Sequence, residues 1–314
     1  MKLTTKVKQT YRWFLKSSIW LKLLLFIVVV IVVYLVFDLG ADRKESFIST
    51  DKKFVYKKGD DIYDSFYADI YDFLVYNQVK NDYEFSEFKD KTKPTTKSVI
   101  LDIGSGTGHH VNTMKKRGLN VQGVDKSTAM VRVARKKYPN CKFLVGDVMD
   151  SLFYSPSTFT HITCFYFTIY YIKDKYTFFQ NCYSWLMAGG YLVIHLVNRS
   201  KFNPILDVGD PLTLISPQKY APKRITSTYV TFKDYDYKSN FRLDESQDKA
   251  YMEEFFMDKT KEKAMKNEHE FFMPTQKAIL HQAKRAGFIL NAKMNLVEVE
   301  YEYQYLYVLQ KPGY

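Results

Sequence analysis

Gly104, Gly106 and Gly108 stand at alternate positions directly after an apolar run, Ser98 to Ile103, that carries one acid, Asp102. Glycines let a backbone turn tightly and approach a ligand that any Cβ would hold off. Ser105 lies between the first two. Two more acids close later apolar runs: Asp125, at the end of 119–125 and 21 positions after Gly104, and Asp147, at the end of 142–147. An acid at that spacing binds ribose hydroxyls in doubly wound folds. Charge-assisted hydrogen bonds of this kind contribute roughly 1.5–3 kcal/mol each. A helix starting at about His109 aims its first amides at the same place. The chemistry indicated is the holding of a nucleotide-like ligand. A dinucleotide fingerprint fails because His109 stands where a glycine is required, and a P-loop fails because no Gly-Lys-Ser/Thr follows.

These residues need strands that end together. Strands are expected at 98–103, 119–125, 142–147, 159–165 (ending in Phe165) and 191–197. Lys126 to Met130 opens a helix with Ser127 as its N-cap. Tyr63, Tyr67 and Tyr71 recur every four residues and share one helical face. Gln276 to Ala286 reads as an amphipathic helix ended by Gly287, followed by a hairpin of 288–297 and 303–310. Alternation between 226 and 243 predicts a small antiparallel lid within an insertion at 205–270.

Asp102-Ile-Gly-Ser-Gly-Thr-Gly108, Val124-Asp-Lys-Ser-Thr-Ala-Met130, Gly146-Asp-Val148 and Leu186-Met-Ala-Gly-Gly190 follow one another over about 100 residues. Together they resemble the class I S-adenosylmethionine (SAM) methyltransferases of small-molecule type, well over 60–200 and loosely over 270–310. One departure is Phe159-Thr160, where the family often has Phe-Asp; that acid supports a strand end and is not chemically essential. The resemblance implies an α/β fold, a Rossmann-like doubly wound seven-stranded sheet with an antiparallel last strand, and SAM as cofactor. It also implies that Asp102, Gly104, Ser105, Gly106, Gly108, Asp125, Lys126, Met130, Asp147, Val148 and Phe165 surround that cofactor. Asp125 falls to the ribose, Asp147 to the adenine amino group and Val148 to the ring. The tyrosine stripe is either core packing or a cap, with a hydroxyl such as that of Tyr67 on the methionine carboxylate. Tyr170 and Tyr171 stand where relatives carry a histidine pair near the methyl group; they orient a substrate or merely pack. His195, at the carboxyl edge of the fifth strand, is the histidine candidate for a base. A base is optional, since the difficult chemistry of methyl transfer resides in the cofactor and the protein supplies alignment.

Composition bounds the rest. The chain has 314 residues, enough for one large domain with extensions, and 26 Tyr and 24 Phe, enough aromatics to line a pocket. Of the net charge of +12, six positive charges lie in residues 1–22 without an acid, leaving a mild +6 elsewhere. No Asn/Asp-Pro-Pro-Tyr/Phe element follows strand four, where Tyr166-Phe-Thr-Ile stands, so the nucleic-acid signal is weak. Cys141, Cys164 and Cys182 form no C-x-x-C pair and the histidines lack ligand spacing; no structural metal is expected. Residues 1–18 are basic. Residues 19–37 are long enough as a helix, roughly 28 Å, to be expected as a single transmembrane anchor of undetermined orientation. A linker is expected over 38–60 and the catalytic domain over 61–314. The expected function is methyl transfer to a small-molecule or lipid acceptor by a membrane-localised enzyme. Protein or nucleic-acid methylation and non-catalytic SAM binding are the alternatives; the intact glycines and both acids count against the last.

Overall fold

The computed structural model describes residues 18–23, 26–29, 53–209, 218, 221–260 and 263–313. The chain divides into two units, 1–52 and 53–314. In the first, only 19–23 and 26–29 are described as helix. Among the described residues no helix is long and apolar enough to cross a membrane. The described pieces rise far less than the ~30 Å of a hydrocarbon core. The expectation of a single-pass membrane protein is therefore corrected; the remainder of 19–37 lies outside the described residues.

The second unit contains two sheets. The first has seven strands: β2 (Val99–Ile103), β3 (Asn120–Asp125), β4 (Lys142–Val145), β5 (Phe159–Cys164), β6 (Leu186–Val197), β11 (Ile289–Asn295) and β12 (Gln304–Gln310), in the order β11-β12-β6-β5-β2-β3-β4. The first five run parallel, while β12 is antiparallel to β6 and β11. This is the expected doubly wound sheet with an antiparallel last strand. The chain passes from β2 outward to β3 and β4, then crosses to β5 on the other side of β2. That reversal opens a crevice beyond the carboxyl ends of the strands.

Helices α1 (Ser65–Val75), α2 (Gln78–Thr92), α3 (His109–Lys116), α4 (Thr128–Lys137), α5 (Thr168–Tyr171), α6 (Lys175–Trp185) and α7 (Gln276–Arg285) complete the unit. Their starts follow local chemistry: Asp64, Asn77, Ser127, Asp174 and Thr275 each accept a backbone N–H of the first turn. Successive strand residues face opposite sides. Ile100 and Val121 therefore pack with Phe85, Phe88 and Val111 on one face, while Leu101 and Ile162 pack with Phe178 and Trp185 on the other.

The second sheet has five strands, β1 (Lys53–Lys58), β7 (Ser227–Thr231), β8 (Tyr235–Asp244), β9 (Lys249–Asp258) and β10 (Lys263–Phe272), in the order β1-β10-β9-β8-β7. It is larger than the small lid expected at 205–270, because 53–58, expected as linker, pair in parallel with β10. Phe54-Val-Tyr56 has strand-forming side chains and covers an edge that β10 would otherwise leave open. The buried Lys175 of α6 ties the sheets together by donating from Nζ to the carbonyls of Ile172 (2.7 Å) and Phe272 (2.6 Å).

Candidate functional site

The turn after β2 is held by its neighbours. Gly104 has φ +65°, and a Cβ there would lie 2.4 Å from the Thr168 side chain. Gly108 has φ +91°, and a Cβ would lie 2.6 Å from the Phe143 ring. Both positions thus require glycine for conformation and for space. Between them Gly106 donates its N–H to Asp125 Oδ2 at 2.9 Å, and Ser127 donates to Asp125 Oδ1 at 2.8 Å. Burial raises the pKa of Asp125, and these two amides act against the rise. Each carboxylate oxygen keeps a lone pair for a further donor.

A cavity of about 1200 Å³ begins at this turn. Of the residues singled out from the sequence, Gly104, Gly106, Asp125, Lys126, Met130, Asp147, Val148, Tyr67 and Tyr171 line it. Asp102, Ser105 and Phe165 instead line a small recess of about 90 Å³ that shares Gly104, Gly106 and Tyr71 with the cavity. Asp102 accepts from Thr163 Oγ1 at 2.6 Å, and burial pushes its carboxyl up to about 6. The Ser105 hydroxyl is buried and has no hydrogen-bond partner among the described residues. A Cβ at Gly106 would have only Tyr71 within 4 Å, at 3.8 Å, so the turn leaves open space beside it. An unpartnered hydroxyl, an open glycine face and a carboxylate with spare lone pairs fit a polar nucleoside-bearing ligand such as SAM.

Gly108, Tyr170 and His195 line neither space. Gly108 is the N-cap of α3. The Tyr170 hydroxyl accepts the Val197 N–H at 2.8 Å and fastens α5 to β6. His195 is fully buried and donates from Nδ1 to the Tyr166 carbonyl at 2.8 Å. Burial and the neighbouring Lys80 push its pKa down to about 4. These two side chains are packed structural groups. Lys126 is more than half exposed and lies 2.8 Å from Asp60 and 3.4 Å from Asp147.

The far part of the cavity joins tyrosines singled out from the sequence to lid residues, His269 and Glu254, that were not. Tyr63, Tyr67 and Tyr171 meet the buried face of the lid there, with ring centroids 5.5 Å apart for Tyr63–Tyr67 and 5.8 Å for Tyr63–Tyr171. The Tyr171 hydroxyl is 2.7 Å from His269 Nδ1, and His269 Nε2 is 2.7 Å from Glu254 Oε2. Tyr237 donates to Glu254 Oε1 at 2.8 Å. Tyr67 packs its ring against His269, with centroids 5.8 Å apart, and helps hold Glu254 ionised. Burial opposes ionisation of Glu254, but His269 and the two phenols outweigh it and hold the carboxyl below its ordinary value. Burial raises the Tyr171 hydroxyl well above its ordinary value, so it remains protonated. A signal for this group existed. Ala250, Met252, Glu254 and Phe256 share one phase of β9, and Asn267, His269 and Phe271 share one phase of β10. Polar residues in the buried phase of an alternating strand are expensive unless paired.

Residues 100–190 match the family described as methyltransferase domain. The chain is 29% identical over 140 residues to a dTDP-4-amino-2,3,4,6-tetradeoxy-D-glucose N,N-dimethyltransferase of Saccharopolyspora spinosa, covering 42% of this chain and 55% of that protein. It is 50% identical over 48 residues to a demethylmenaquinone methyltransferase of Chlorobaculum tepidum, covering 15% and 20%. The chain thus spans between a fifth and just over half of these relatives. The CcbJ methyltransferase of Streptomyces caelestis shares the fold with a TM-score of 0.61 at 13% identity, over 80% of this chain and 98% of that one. The glycine turn, the acids at the strand ends and the sheet order agree with these matches: residues 100–190 form a methyltransferase domain, and the unit has the fold of SAM-dependent methyltransferases.

Proposed function

We propose that the protein methylates a small-molecule acceptor enclosed between the carboxyl edge of the parallel sheet and the lid sheet. The observation that carries this reading is the continuity of the cavity, which runs from Gly104 and Asp125 to Tyr171, His269 and Phe271. At about 1200 Å³ it exceeds the roughly 300–1,000 Å³ of an ordinary ligand pocket and leaves room for an acceptor beside a cofactor. In this reading Asp125 holds the ribose, Asp147 and Val148 the adenine, and the Gly104–Gly106 turn with Ser105 the methionine part. Bound there, SAM supplies the methyl group. The lid and aromatic walls exclude water, a condition for methyl transfer to the acceptor rather than loss to solvent. A cavity walled on one side by the lid sheet suits a small acceptor better than a protein or nucleic-acid strand. Relatives named for an amino sugar and a quinone agree with that.

Calorimetry of the full chain with SAM tests the reading, with micromolar binding expected. Methyl transfer from labelled SAM into a metabolite extract then identifies the acceptor. A folded protein that does not bind SAM overturns the proposal.

A further inference from the structure

Resting on that reading, we propose that Tyr171, His269 and Glu254 form a proton relay that takes a proton from a cationic amine acceptor held in the far part of the cavity. Two independent features lead there. The first is the relay itself. Tyr171 and His269 both line the cavity, and the 2.7 Å contacts Tyr171–His269 and His269–Glu254 run from the cavity wall into the lid. With Tyr171 donating to Nδ1, the Nε2–H of His269 donates to Glu254, so the carboxylate fixes the tautomer that leaves Nδ1 able to accept. The charged and titratable groups facing His269 are few. Tyr63, Tyr67 and Tyr171 approach from the helical side and Glu254 from β9, with Tyr237 behind Glu254.

The second feature is the character of the walls. Asp207, Glu270, Glu298 and Glu300 line the cavity, and so do Lys58, Lys126, Arg132 and Lys173; Lys58 is paired with Glu268, Lys126 with Asp60 and Asp147, and Arg132 with Asp69, while Lys173 lies over the Phe272 ring. Tyr63, Tyr171 and Phe271 line the same cavity. Aromatic rings beside carboxylates attract an ammonium ion and offer little to an anion.

An ammonium nitrogen has no lone pair and cannot attack a methyl carbon. In the relay its N–H bond breaks and the proton passes to the Tyr171 oxygen, while the Tyr171 proton passes to His269 Nδ1. The electron pair stays on nitrogen, which becomes a nucleophile. The new imidazolium faces the Glu254 carboxylate, so the charge lost by the amine reappears beside an anion. SAM supplies the electrophilic methyl group. His269 and Glu254 act through Tyr171, as positioning and proton-accepting residues.

Binding and rate measurements test the relay. Benzylamine and its neutral counterpart benzyl alcohol are titrated at pH 7 into the full chain saturated with S-adenosylhomocysteine. Benzylamine is expected to bind at least tenfold more tightly than benzyl alcohol. With SAM in place, His269→Gln is expected to lower kcat for methylation of benzylamine at least tenfold with KM within about threefold, and the loss is expected to shrink as pH rises and more of the free amine is already neutral. A purely structural role for His269 lowers the rate alike at every pH. Equal affinity for the two probes, or a rate loss in His269→Gln that does not change with pH, overturns the relay while leaving the methyltransferase reading intact. Failure of the wild type to bind S-adenosylhomocysteine overturns that reading and the relay with it.

Discussion

The two sheets hold the carboxylates of Asp125 and Glu254 in opposite ways. Asp125 ends a parallel strand, and backbone amides from Gly106 and Ser127 grip it. Glu254 lies in the middle of an antiparallel strand and is gripped by side chains from other elements: His269 of β10, Tyr237 of β8 and Tyr67 of α1. The first arrangement needs a turn and a helix start close in sequence. The second needs the correct register of three strands and the docking of a helix on top. The cofactor end is therefore a local device on a rigid scaffold. The lid end exists only once the tertiary structure has closed.

The largest effect expected from this contrast is on stability. Glu254→Leu leaves the His269 Nε2–H and the Tyr237 hydroxyl buried without their acceptor, and each lost bond to a charged group costs about 1.5–3 kcal/mol. Thermal unfolding is expected roughly 10 °C lower, with SAM affinity of the folded protein within about threefold of wild type. A parallel collapse of SAM affinity would join the two ends into one device and break the comparison. Asp125→Ala is expected to behave oppositely: SAM affinity falls roughly 100-fold by calorimetry, the worth of two charge-assisted bonds, with little change in melting.

A third test lies inside the parallel sheet. His195 has a pKa near 4 in the fold against 6.5 when unfolded. Between those values the unfolded chain binds the additional proton, so the stabilisation is present above pH 6.5 and is lost as pH falls toward 4. The loss is about 3 kcal/mol. Urea midpoints measured across that range are expected to drop in the wild type and to flatten in His195→Gln. The smallest effect belongs to Lys126→Ala. This side chain is more than half exposed beside Asp60 and Asp147. Exposed pairs contribute below about 1 kcal/mol, so SAM affinity is expected to move less than threefold. A tenfold loss would make Lys126 part of the cofactor grip.

The same contrast explains what was legible. Gly104, Asp125 and Asp147 announce themselves because each sits where an apolar run stops, and strand ends are visible in a one-dimensional pattern. Ser127 was readable as a cap for the same reason: its partner, the Met130 N–H, is three residues away. His195 as a candidate base and Tyr170 as either an orienting or a packing residue stay open in the sequence, because proximity to the carboxyl edge says nothing about which face a side chain takes. His195 turned to the Tyr166 carbonyl and Tyr170 to the Val197 amide. The strand at 53–58 was taken for linker because its partner, β10, lies some 200 residues away. The transmembrane expectation rests on apolar length, a basic flank and interfacial aromatics, and among the described residues no helix is long and apolar enough to cross a membrane.

By itself the sequence determined the glycine turn, the doubly wound sheet and the acids at its strand ends. Glycine conformation, strand alternation and capping act over a few residues and leave their mark on spacing. Only the tertiary structure decided the size and aromatic walls of the cavity, the recruitment of 53–58 into the lid sheet, and the joining of Tyr171, His269 and Glu254. Residues from α5, β9 and β10 are brought within hydrogen-bond distance by sheet register and helix docking. Those are set by burial of apolar surface over the whole unit and have no short-range signature.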